Sequence, residues 1–229
     1  MCTWWSAPRA TWPARSPRVD LDGLTHSLHD RFDAKTTARE QALPAARRSI
    51  RASANAIRAI HRAELERARE LIGESRAALD DGVAAVADHP DVRFAGYLQD
   101  AQKEYAEANV TLALVAGESI PSPADLGVED APFLNGMAEA IGEGRRHILD
   151  LLRTGDVERG EGILREMEDM YGVLVTMDYP DAITLNLRRS TDVARSLIEK
   201  TRGDLSIAFV QRDLHDALDR HARDVLGER

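Results

Sequence analysis

An all-α, multi-helix fold is what this sequence predicts, and three observations predict it. Ala, Arg and Leu are the commonest of the 229 residues while aromatics make up only 5%, a composition that favours helix. Apolar residues recur three and four apart through most of the chain, the spacing of one helix face. No strand-like alternation, Gly-rich phosphate loop or internal repeat is present. The length suits one sizeable domain or two small ones with a real core. The lone cysteine, Cys2, excludes an internal disulfide and suits a reducing cytoplasm. No apolar run reaches the roughly 18 residues of a membrane span, and the first residues lack the apolar core of a signal peptide.

A net charge of −9 weighs against a nucleic-acid partner on average. Its distribution is more informative. Lysine occurs only at Lys35, Lys103 and Lys200, so arginine supplies nearly all the positive charge. An acidic, lysine-poor surface suits a salt-loving (halophile) source, because high salt screens its self-repulsion. Local patches therefore matter more than the sum.

Residues 1–18 carry Trp4, Trp5 and Trp12 among Pro8, Pro13 and Pro17, without one acidic residue. They read as a disordered tail or a spurious extension from start-codon choice. A stacking or membrane-touching arm is the functional alternative. Residues 19–229 read as a single all-helical domain. Leu21, Leu24, Leu28 and Phe32 begin its helical pattern, which continues through Ile50, Ile57, Ile60, Leu65, Leu71, Ile72 and Leu79. Pro44 marks a candidate kink or break. Arg47, Arg48, Arg51, Arg58 and Arg62 are spaced so that several share a face. That face is either solvated and paired with Glu64, Glu66 and Glu70, or a phosphate-contacting stripe.

His89-Pro90-Asp91 stops one helix and starts the next, which runs from about Val92 to Val115 and closes at Gly117. The stretch from Glu118 to Asp130, with Pro121 and Pro123, is the longest loop. Pro132 fits the first turn of a third helix that ends at Thr154-Gly155. Gly136, Gly142 and Gly144 lower its helix propensity by up to ~1 kcal/mol each, and mark places where a backbone or ligand comes close. Asp156 caps a fourth helix whose apolar side holds Val157, Ile163, Leu164, Met167, Met170, Tyr171 and Leu174. Tyr179-Pro180-Asp181 separates it from a fifth, with Ile183, Leu187, Ala194, Leu197 and Ile198 inward and Arg188, Arg189 and Arg195 on the polar side. Gly203-Asp204 is a candidate interruption before Leu205 to Leu226.

Two of these helices carry paired carboxylates one turn apart, Glu104 with Glu107 and Glu139 with Glu143. Both pairs lie among small and apolar neighbours. If the helices pack face to face, four carboxylates converge and repel, unless a cation sits among them or some are protonated. Oxygen-only ligands favour magnesium or manganese. A di-iron bundle needs Glu-x-x-His, whereas His147 lies four after Glu143, and zinc is disfavoured without a Cys/His pattern. A Mg2+ or Mn2+ phosphodiesterase site fits better. The alternative is ordinary surface pairing, Lys103 with Glu107 and Arg146 with Glu143.

Glu104-Tyr105-x-Glu107-Ala108, with Arg93-Phe94 upstream, resembles the second helix of translin and translin-associated factor X. Phe133-Leu134-x-Gly136, then Glu139, Glu143 and Thr154-Gly155-Asp156, resembles their next helix, and Asp204-Leu205-Ser206-Ile207 their carboxyl-terminal end. The resemblance covers roughly Ala46 to Phe209, and acidic, archaeal-type members are the nearest in character. It implies a translin-like bundle assembling into a closed, barrel-like homo-oligomer, typically an octamer, that binds single-stranded RNA or DNA. It implies a Mg2+- or Mn2+-dependent endoribonuclease with Glu104, Glu107, Glu139 and Glu143 as metal-holding catalytic residues. Where the factor X branch usually has aspartate, this chain has the longer Glu139. The translin branch lacks some of these carboxylates, so keeping all four points to the catalytic branch, with a non-catalytic nucleic-acid-binding oligomer as the alternative. On this reading Arg47, Arg48, Arg51, Arg93, Arg188 and Arg189 line the strand-binding surface.

Overall fold

The first helix, α1 (Leu21–His61), runs unbroken through Pro44. Proline deletes one backbone hydrogen bond and crowds the carbonyl a turn earlier. Here the buried alanines around it, Ala38, Ala42, Ala45 and Ala46, anchor the helix against the bundle on both sides of that point. The chain reverses at residues 62–64, where Ala63 adopts a left-handed φ of 59°, and α2 (Leu65–Ala85) packs back along α1. Between them Ser49 and Ser53 each lie 2.8 Å from Ser75, all three fully buried. Their hydroxyls satisfy one another, so three small polar groups are buried without an orphan. Residues 20–227 are described by this computed structural model; the reading of residues 1–18 falls outside them.

A single turn, α3 (Pro90–Arg93), precedes α4 (Tyr97–Ala116), which Gly117 closes in the left-handed conformation. The following loop contains one further turn, α5 (Pro123–Leu126). Then come α6 (Asp130–Thr154), closed by left-handed Gly155, and α7 (Val157–Val175), whose N-terminus is capped by the Asp156 carboxylate accepting from Arg159 N–H at 3.2 Å. After the short α8 (Asp181–Thr184), α9 (Leu187–Leu226) runs without a break through Gly203. Tertiary anchoring overrides the glycine there: Leu205 is buried and Asp204 pairs with Arg145 of α6 at 2.8 Å. No strand occurs among the described residues.

The core forms where α4 is enclosed by α1, α2 and α6, and where α6 in turn meets α7 and α9. Most of α4 is buried, including Leu98, Ala101, Tyr105, Ala106, Ala108 and Val110. Its apolar faces are thus covered within the chain. The uncovered apolar surface lies elsewhere. Leu21, Leu24, Leu28 and Phe32 on the first part of α1 are exposed, as are Ile207, Val210, Leu214 and Leu218 on the last part of α9. Ile183, expected inward on the fifth helix, is also exposed, because it lies on the separate short turn α8.

α4 and α6 touch backbone to backbone. A Cβ on Gly136 would sit 2.5 Å from the Lys103 carbonyl oxygen and 2.9 Å from the Glu107 nitrogen. Gly136→Ala is therefore expected to destabilise the protein by ~1–3 kcal/mol through overpacking. Gly162→Ala, which meets nothing within 4 Å, is expected to be neutral or to stabilise by up to ~1 kcal/mol through helix propensity. Guanidinium unfolding at one fixed protein concentration checks both, and equal effects of the two substitutions would refute the assigned contact.

Candidate metal and nucleic-acid site

The close crossing at Gly136 brings the two glutamate pairs together. Oxygens of Glu104, Glu107 and Glu139 all lie within 4.8 Å of one another. Glu107 is 8% exposed, flanked by Ala106 and Ala108 on α4 and facing Ala138 and Glu139 across a shared cavity of about 450 Å³. Among the described residues its carboxylate has neither an ion-pair partner nor a hydrogen bond. Burial, then the charges of Glu139, Glu104 and Glu143, push its pKa up to about 8. A buried, unpartnered carboxylate among like charges fits a cation site. The donor set is oxygen only, which suits Mg2+ or Mn2+ better than zinc or copper.

Glu143 is placed differently. Its carboxylate is hydrogen-bonded to His61 Nε2 at the end of α1, and that bond holds its pKa below the usual carboxylate range. It influences Glu107 through space but is not one of the three gathered carboxylates. Its expected pair with Arg146 is present at 4.0 Å. One turn on, His147 has a buried Nε2 without a partner, and burial lowers its pKa. Sequence reasoning missed His61: it lies 82 positions before Glu143, and no local spacing signals such a pair.

Lys103 does not pair with Glu107. It reaches across to α6, 2.8 Å from Glu139, and lies 3.4 Å from Glu104. Burial alone would lower its pKa, but the hydrogen bond to Glu139 and the charges of Glu139 and Glu104 raise it overall.

Of the six predicted arginines, Arg189 reaches the site. It lines the same cavity as Glu107 and Glu139, together with Ser190, Val193 and Leu197. Its placement follows from the α8–α9 turn, where Leu185 and Asn186 both have left-handed φ, 54° and 63°. Buried Asn135 of α6 clamps that turn. Its amide donates to the Thr184 carbonyl at 2.8 Å and its side-chain oxygen accepts from Ser190 at 2.8 Å. Arg188 pairs with Asp178 at 3.6 Å. Arg93 stacks over Phe94, 5.4 Å from its centroid. Arg47, Arg48 and Arg51 are exposed on α1, Arg48 beside Asp81 at 3.2 Å. Among the described residues none of these five bonds to the carboxylates. The solvated alternative finds its own pair in Arg62 with Glu64 at 2.8 Å.

Fold and site together define an all-helical subunit with a carboxylate cluster at the crossing of two buried helices. No protein-family model matches the chain. An uncharacterized protein of Methanocaldococcus jannaschii is 31% identical over 195 residues, covering 84% of this chain and 85% of that protein. AfC3PO, solved in complex with duplex RNA, is 33% identical with a TM-score of 0.78, covering 82% of this chain and 98% of its own. AfC3PO is also similar in a second structure, with 32% identity, a TM-score of 0.77 and the same coverage of both chains. The apo-NeC3PO structure, 21% identical over 84% of this chain and 99% of its own with a TM-score of 0.69, bears on the fold alone. The chain belongs to the translin family, with C3PO-type proteins as its structural neighbours. Among the described residues no helix is long and apolar enough to cross a membrane.

The raised pKa of Glu107 sets a pH dependence. Between the ordinary carboxyl value of 4.5 and about 8, the folded protein holds a proton that the unfolded chain has lost. Stability without metal therefore falls as pH rises through that window, with a limiting slope of ~1.4 kcal/mol per pH unit. Glu107→Gln removes this term and is expected to be more stable than wild type by ~2–4 kcal/mol at high pH. Thermal midpoints from about pH 5 to about pH 9 check it, and parallel profiles for the two proteins would overturn the assignment.

Proposed function

We propose that this protein is a nucleic-acid-binding translin-family subunit that forms a closed, octamer-like homo-oligomer and cleaves RNA with Mg2+ or Mn2+. The observation that carries this reading is the buried, unpartnered Glu107 carboxylate in a cavity shared with Glu139 and Arg189. Glu104, Glu107 and Glu139 would hold the cation. Glu143, fixed by His61, stands beside them as an acceptor that can orient water, and its lowered pKa keeps it ionised. When bound, the cation supplies charge neutralisation at the phosphodiester and acidifies water. Arg189 offers a guanidinium for a phosphate oxygen, held in place by the Asn135 clamp. Arg47, Arg48, Arg51, Arg93 and Arg188 are proposed as strand contacts outside the cavity.

Two further observations support parts of this reading. The exposed apolar residues at the ends of α1 and α9 provide surface for self-association. AfC3PO is solved with duplex RNA, so duplexes belong in the test beside the single strands that the family resemblance implies. A second reading, a binding oligomer without cleavage, is favoured by Lys103, whose ammonium already offsets part of the acidic charge.

Cleavage of labelled single-stranded and duplex RNA is expected to require Mg2+ or Mn2+, and to fall at least ~100-fold in Glu104→Gln and Glu107→Gln with the fold kept. Glu139→Asp, one methylene shorter, is expected to retain measurable activity. Arg189→Ala is expected to weaken RNA binding and to lower the salt slope by about 0.7. Undiminished cleavage in both Gln variants would sink the nuclease reading and leave the binding oligomer.

A further inference from the structure

Lysine is rare in this chain, at Lys35, Lys103 and Lys200, and one of the three sits inside the acidic cluster. Lys103 follows from the α4 register: it precedes Glu104 and faces α6 across the Gly136 crossing. Its ammonium is 2.8 Å from Glu139 and 3.4 Å from Glu104, and its side chain is 25% exposed. Two of the three gathered carboxylates are thus already occupied by a cation belonging to the protein. The third, Glu107, is the most buried and has no partner among the described residues.

We propose that Lys103 is the resident counter-ion of the cluster, and that a divalent cation binds Glu104 and Glu139 only by displacing it. This inference rests on the metal site proposed above. The physical reason is one of shared ligands. Both oxygens of Glu139 lie 2.8 Å from the Lys103 ammonium, so a metal ion drawing on either competes with it for the same lone pairs. An ammonium left in place beside a bound cation would add like-charge repulsion in a partly desolvated site. Hard cations with only a few protein carboxylates are held by the charge that those carboxylates present, and Lys103 reduces that charge by one. Metal affinity is therefore set by the lysine as well as by the ligands. In the metal-free protein the same lysine offsets repulsion among the glutamates.

The two roles give opposite signs in one substitution. Lys103→Met keeps the length and apolar stem and removes the charge. It is expected to bind Mn2+ roughly tenfold more tightly than wild type, while its metal-free thermal midpoint is lowered and its metal-induced rise enlarged. Lys103→Arg keeps the charge and is expected to stay near wild type. The measurement is a titration of free Mn2+ by electron paramagnetic resonance on the full-length oligomer. Circular dichroism confirms the helical fold of each variant, and Lys103→Gln stands in if the Met variant fails to fold. Mn2+ affinity equal to or weaker than wild type in folded Lys103→Met, with wild type binding the ion and Glu107→Gln losing it, overturns this inference and leaves the metal site intact. Absence of Mn2+ binding in wild type and Lys103→Met alike overturns both.

Discussion

The contact between the backbones of α4 and α6 at Gly136 is the constraint on which the site depends. With any side chain at that position the helices stand further apart, and the carboxylates of Glu104, Glu107 and Glu139 no longer share a few ångströms. The crossing also explains why Glu107 is buried. Alanines beside it on both helices leave no thickness of side chain to hold the backbones apart. The same apolar packing buries Glu107 and sets like charges beside it, and the cost, first of burial and then of repulsion, appears as its raised pKa.

Around this crossing the remaining polar side chains divide the work. Lys103 neutralises from within α4, reaching the two outer carboxylates. His61 arrives from the end of α1 and fixes Glu143 apart from the gathered three. Arg189 arrives from the start of α9. Each comes from a different helix, so the charge balance of the site is a property of the folded chain and of no single segment. The net charge of −9 is correspondingly uninformative about this cavity, whose lining carries both signs.

Much of the architecture was legible in the sequence because it rests on local rules. Gly117 and Gly155 close their helices in the left-handed conformation, Asp156 caps the next, and Pro90 and Pro180 mark stops and starts. The carboxylate pairs were legible for the same reason, since spacing along a helix fixes a shared face. What was not legible depended on partners far along the chain. Pro44 and Gly203 read locally as breaks, yet packing on both sides carries the helix through each. Lys103 reads as a partner for Glu107 one turn away, but the helix across the crossing is nearer. His61 and Asn135 gave no signal, because a single polar residue on a helix face says nothing until its neighbour is known.

The Asn135 clamp has a consequence of its own. The carboxylates are positioned by the α4–α6 crossing, whereas Arg189 is positioned by a separate junction of α6, α8 and α9, through two hydrogen bonds and a turn with two left-handed residues. The same helix, α6, serves both junctions at positions one residue apart, Asn135 and Gly136. The part that positions positive charge and the part that positions negative charge are thus neighbours on one unbroken helix. One stretch of helix thereby sets the spacing between the two signs of charge: a shift of α6 at residues 135–136 moves the anchor of Arg189 and the seat of the carboxylates together.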